Sequence, residues 1–297
     1  MKTLNLYLRI CFVCLLLGAG TLWSVRHTQA DDKPKPADII AKHLDSIGPA
    51  EVRSALHGAQ VKGACTVVAK LGGAGQVDGQ VVMVSQGNQN MMHMTFDSPD
   101  YPLEEFKYDG KKYTGSVIRP GRRSALGSFF NTNDILFKDG LVGGVLSSSW
   151  PLLNLQEKNP RVEYAGTRKI GGQDLIALKY TPHKGSDLKI TLYFDPQTFR
   201  HLRTDYQATV YSTEQRKIGG GGGALPEAHD QRSANARIEA YEEFADFKVE
   251  GGLTLPHSYN FHLAVQSETN PALVEWQVAL TDFVINPQLD AKWFGSQ

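Results

Sequence analysis

The chain has 297 residues, with 31 basic and 31 acidic side chains and a formal net charge of zero. That balance excludes the strongly basic surface that nucleic acid or anionic lipid head groups recruit. With 41% hydrophobic residues and three cysteines, the chain can build a sizeable core and is not a disulfide scaffold.

Residues 1–30 read as a secretory signal peptide. Lys2 and Arg9 form a basic start, and "ICFVCLLLGAG" (10–20) is an apolar run too short to span a bilayer comfortably. "TQA" (28–30) offers small residues for cleavage after Ala30, before the charged "DDKPKP". A retained anchor extended through Leu22 and Trp23 is the alternative. Cys14 lacks the small neighbours of a lipid-attachment site. The leader holds Lys2, Arg9 and Arg26 and no acid, so residues 31–297 carry 28 basic against 31 acidic groups. Only Cys65 then remains, which rules out an internal disulfide. It shares an alternating face with Val61 and Val67 and reads as a buried structural thiol.

"ADIIAKHLDSIG" (37–48) places Ile39, Ile40, His43, Leu44 and Ile47 on one helical face, with Gly48 and Pro49 as stop signals. Residues 50–58 read as a second short helix. From there the pattern has period two. Strands are expected at 60–70, 76–86, 90–97, 104–109, 112–118, 161–168, 174–181, 187–194, 199–211, 236–249, 255–266 and 272–286, separated by Gly, Pro, Asn and Asp turns. Short connections between them predict an antiparallel meander.

Two stretches break the alternation. Residues 119–158 carry Ile135, Leu136, Leu141, Val142, Val145, Leu146 and the Trp150–Leu153 cluster between glycines, and read as short helices and loops. "DGLVGGVL" (139–146) within it is either a mobile lid or a plug that is simply core. Residues 217–235 contain a glycine run that no Lys-Ser/Thr follows, which removes a phosphate-binding loop and leaves a flexible connection. A sheet of this size curls, so the predicted fold class is α+β: an incomplete antiparallel β-barrel with helices capping or plugging its inner face. In "LKITLYF" (188–194), Ile190, Leu192 and Phe194 would face helices or a cavity, and Lys189, Thr191 and Tyr193 the outside.

Catalytic patterns are sparse. No Ser stands in a Gly-x-Ser-x-Gly frame, and there is no HExxH. His257 and His262 are five apart and fall on opposite strand faces, which disfavours a shared metal. The acids of Tyr241-Glu242-Glu243-Phe244 alternate in direction, so they form no dyad and read as solvated surface groups.

Five segments occur in order: "YDGKKYTGS" (108–116), "RKIGGQDLIALKYTP" (168–182), "LYFDPQTFRHLRTDY" (192–206), "FADFKVEGGLTLPHSYNF" (244–261) and "VINPQLDAKWF" (284–294). Together they resemble the LolA/LolB-like family of periplasmic outer-membrane lipoprotein-sorting proteins and its LppX-like relatives, over most of residues 31–297. The resemblance implies a single half-barrel domain with a hydrophobic cavity under a helical lid. It implies a non-enzymatic carrier without cofactor, periplasmic or secreted, whose partners are lipid acyl chains or a lipoprotein and the inner- or outer-membrane complexes of the envelope. The chain is longer than the compact carriers, and Arg119, Arg122 and Arg123 stand where the family places a cavity arginine or else form an exposed turn. The expected cavity lining is Met83, Met92, Met94, Phe96, Ile190, Leu192, Phe194 and Phe261 from strands, with Leu141, Val145, Leu146 and Trp150 from the insert. Competing classes are an envelope interaction protein with a filled barrel and a secreted hydrolase whose groups converge only in space.

Overall fold

A computed structural model describes residues 33–71, 75–115, 117, 123–210, 236–267 and 271–295. The leader, Arg119, Arg122 and the glycine run at 217–235 lie outside these. Two helices open the described chain, α1 (Pro36–Ile47) and α2 (Ala50–Ser54). Pro36 starts α1 with its backbone angle already set. Ile39, Ile40, His43 and Ile47 are buried, the expected face, with Leu44 half-buried. The second helix is shorter than expected, because Gly58 already belongs to the first strand.

Twelve strands follow: β1 (Gly58–Leu71), β2 (Gly75–Gln86), β3 (Gln89–Phe96), β4 (Leu103–Tyr108), β5 (Tyr113–Gly115), β6 (Arg161–Ile170), β7 (Gln173–Thr181), β8 (Lys189–Phe194), β9 (His201–Val210), β10 (Ala236–Glu250), β11 (Leu253–Gln266) and β12 (Ala272–Ile285). They form one antiparallel sheet in the order β5-β4-β3-β2-β1-β12-β11-β10-β9-β8-β7-β6. The sheet is curled and unclosed, as the alternation predicted. Each half is a meander, and β12 joins them by pairing with β1. The two edges, β5 and β6, are left apart, and the chain between them forms the insert. It consists of α3 (Ala125–Thr132), α4 (Ile135–Lys138), a 3-10 turn (Gly144–Leu146) and α5 (Leu155–Lys158). Ser124 caps α3, its hydroxyl accepting from Gly127 N at 2.7 Å.

The turn motifs of the sequence have local causes. In the 195–198 turn, Asp195 accepts from the backbone N–H of Gln197 and Thr198 at 3.0 and 2.6 Å. In "YDGKKY", Asp109 does the same for Lys111 and Lys112. Both are Asx turns that fix hairpin register.

Alternation decides the faces. Along β8, Ile190, Leu192 and Phe194 point inward at no more than 1% exposure. Tyr193 points outward yet is buried, because it packs with Leu175 and Ala177, flanked by Ala165, Ile170 and Leu202. In the other half of the sheet, Trp293 and Phe294 of the C-terminal segment lie on Val84 and Met91 of the outer face. Cys65 is free and buried, with its thiol pushed up to about 12 by burial, which fits an inert core position.

Candidate binding interior

The inner face of the sheet and the insert form one continuous apolar cluster. Met83, Met92, Met94 and Phe96 reach it from β2 and β3, Ile190, Leu192 and Phe194 from β8, and Phe261 from β11. Leu141, Val145, Leu146 and Trp150 enter it from the insert. All twelve residues expected to line a cavity are thus buried together. Aromatic rings bridge insert and sheet: Phe130 lies 4.8 Å from Phe106 and 5.3 Å from Phe261, and Trp150 stacks on His201 at 4.8 Å. In this arrangement the insert occupies the interior. Between it, β2 and β3 lies a small, partly open pocket with about 10 Å³ of free room, lined by Met83, Val84, Asn90, Met91, Met92 and Leu146 among others. That is room for a single water.

A ring of buried polar groups fastens the insert to elements on every side. Ser85 of β2 accepts from Ser148 N and Oγ at 2.8 and 3.0 Å. Asn90 of β3 donates to Phe137 O at 2.7 Å. Tyr180 of β7 donates to Asp139, whose carboxyl is raised chiefly by burial. Trp150 Nε1 donates to His43 Nε2 at 3.2 Å, while His43 Nδ1 donates to Phe199 O at 3.0 Å. These partners require a neutral His43, and burial pushes its pKa down to about 4.

The innermost fastening is Glu242 of β10. Its carboxyl is fully buried and accepts from Gly143 N at 2.7 Å, Tyr259 Oη at 2.8 Å and Tyr206 Oη at 2.5 Å. Burial pushes it up to about 7, against the lowering pull of those three donors. No cation among the described residues contributes to that balance. Between Trp150 and Phe244, at 4.8 Å from each ring, stands His201, held neutral by burial, with Nε2 2.9 Å from Thr204 Oγ1. Its Nδ1 is buried without a hydrogen-bond partner. The sequence reading placed Glu242 among solvated surface groups, and this is corrected. Ala240, Glu242 and Phe244 share the inner face, while Glu243 turns outward to Arg203 at 2.8 Å. The signal that could have found Glu242 is its parity with Phe244.

Other groups do not converge. His257 pairs with Glu250 and His262 lies between Glu243 and Glu275. Among the described residues no cluster of three His, Cys, Asp or Glu side chains could hold a metal. Arg123 is exposed. A crevice of about 160 Å³ on the outer face is lined by Arg203, Asp205, Tyr241, His262 and Glu275, which pair with one another, and it does not belong to the apolar interior. No helix among the described residues is long and apolar enough to cross a membrane.

No family model matches the chain, and no curated protein sequence matches it. Solved structures do. One is a LolA superfamily protein from Nitrosomonas europaea, at TM-score 0.43 and 12% identity over 88% of this chain and 97% of that one. A second is a DUF1329 family protein from Desulfovibrio piger, at TM-score 0.41 and 11% identity over 87% and 96%. A third is a domain from Vibrio parahaemolyticus described as an outer membrane lipoprotein-sorting protein, at TM-score 0.40 and 14% identity over 86% and 97%. Each is a likeness of fold.

Proposed function

We propose that the protein is an exported, non-enzymatic carrier that shields the acyl chains of a lipid or lipidated protein in the bacterial envelope. The observation that carries this reading is the way the apolar interior is covered. The sheet does not close on itself; an irregular insert of short helices and glycine turns covers its inner face instead. Such an element can leave without breaking the strand ladder.

Magnitudes favour exchange. An acyl chain of about fifteen methylenes gains roughly 12 kcal/mol on leaving water, at about 0.8 kcal/mol per CH₂. Exposing Leu141, Val145, Leu146 and Trp150 costs roughly 1.5–3 kcal/mol each. The totals are similar only if opening is confined to the 141–150 stretch and Leu126, Phe129, Phe130, Leu136 and Phe137 stay seated, so that limited movement is the one that allows reversible loading and release. The methionines at Met83, Met92 and Met94 suit the role, because flexible thioethers adapt to varied apolar shapes.

A second reading has its own observation. Insert and sheet bury their side chains in one continuous apolar cluster, so the insert also serves as a packed plug. On that reading the protein carries nothing and acts through its surface. Native mass spectrometry of protein purified from its own envelope separates the two, with titration of a fluorescent fatty acyl probe in parallel. The carrier reading predicts a co-purifying lipid mass and saturable probe binding. Absence of both would leave the filled barrel.

A further inference from the structure

Within the apolar interior, polar demand converges on one place. Gly143 donates its N–H to the Glu242 carboxyl, and the next residue, Gly144, lies over the unpartnered Nδ1 of His201. A Cβ on Gly144 would stand 3.0 Å from that nitrogen and 3.0 Å from the Phe244 ring. A Cβ on Gly143 would stand 2.3 Å from Met83 Cε. Both glycines hold left-handed backbone, φ 79° and 51°. Only residues without a side chain fit these two positions as the chain stands. The pair supplies one donor to Glu242 and none to His201.

Resting on the carrier reading above, we infer that Glu242, Tyr206, Tyr259 and His201 form a head-group subsite for an ammonium attached to the acyl chain. The Gly143–Gly144 turn fills this place while the insert is seated. The chemistry selects that class. When the turn leaves, Glu242 retains two phenol donors and loses its backbone donor, so in an apolar chamber it is ionised only when a cation pairs with it and otherwise takes up a proton. An ammonium supplies the missing donor and neutralises the charge in one group. His201 lies behind the same turn: with its proton on Nε2, donated to Thr204, its Nδ1 is an acceptor that faces Gly144. A carboxylate or phosphate head group leaves a buried charge unneutralised and binds there only while Glu242 holds a proton.

The test uses the full chain and three single-chain probes that differ only in head group: dodecylamine, lauric acid and 1-dodecanol. Each displaces a fluorescent acyl probe. The inference predicts that dodecylamine competes about tenfold or more better than lauric acid, a ratio worth about 1.4 kcal/mol. In Glu242→Gln, which retains the shape and an acceptor oxygen, that ratio falls to within about threefold. Tyr259→Phe shifts the ratio in the same direction by less. Equal competition by amine and acid in the unaltered chain would overturn the subsite and leave the carrier. So would a preference that survives in a folded Glu242→Gln chain. Failure of all three probes and of the fluorescent probe would overturn the carrier reading and the subsite with it.

Discussion

Glu242 makes the interior sensitive to pH with a defined sign. Its folded pKa, about 7, lies above the ordinary 4.5. The unfolded chain therefore loses this proton first, and stability falls as pH rises between those values, by about 3 kcal/mol in all. His43 acts in the opposite sense: its folded value of about 4 lies below the ordinary 6.5, so stability is gained as pH rises through that window. The two largely offset each other in the original chain. Glu242→Gln removes one side of the balance. Its stability relative to the original should improve by roughly 2–3 kcal/mol between about pH 5 and about pH 8, measured by urea unfolding. A difference that stays constant with pH would show that Glu242 does not titrate as its burial requires. Gly144→Ala is expected to cost about 2–3 kcal/mol, since it combines left-handed backbone with contacts on His201 and Phe244. A change under about 0.5 kcal/mol in the same assay would contradict the close approach.

Trp150 is the anchor of the insert as an element. Trp150→Phe leaves His43 Nε2 buried without its donor and should cost about 1–3 kcal/mol; Trp150→Ala adds a cavity and should cost about 3–5 kcal/mol. Chemical denaturation reads both, and near-equal losses would mean that the hydrogen bond to His43 contributes little. Hydrogen exchange asks whether the insert opens by itself. Amides of Gly143 and Leu146 should exchange through a smaller opening than those of Tyr241 and Phe261 in the long β10–β11 ladder. Equal protection would mark the insert as part of the cooperative core. The strands were legible in the sequence, because Gly, Pro and Asp turns bound alternating runs such as 173–181 and 189–194. The insert was legible as a break in that pattern, but its helix limits depend on contacts with both halves of the sheet. Glu242 was misplaced because acidity outweighed parity. Whether the insert lies in the interior or over it could not be read, since period two says which residues share a face and not what faces them. His201 beneath Gly144 joins residues far apart in the chain, with no local sign.

The molecule as a whole is a curled, unclosed sheet whose inner face is covered by the insert. The strand ladder from β5 to β6 is continuous without the insert, and the proposed carrier requires that the sheet persist while the cover moves. A reversible lock tests whether the cover must move. Ser85 on β2 and Ser148 on the insert face each other with hydroxyl oxygens 3.0 Å apart. Ser85→Cys with Ser148→Cys, in a chain with Cys11 and Cys14 replaced by serine, allows a disulfide there, while buried Cys65 stays out of reach. The measurement is saturable binding of a fluorescent fatty acyl probe to the oxidised and then the reduced protein. The account predicts that oxidation abolishes binding and that reduction restores it. Equal binding in both states would show that the insert need not move for an acyl chain to enter, and would contradict the account.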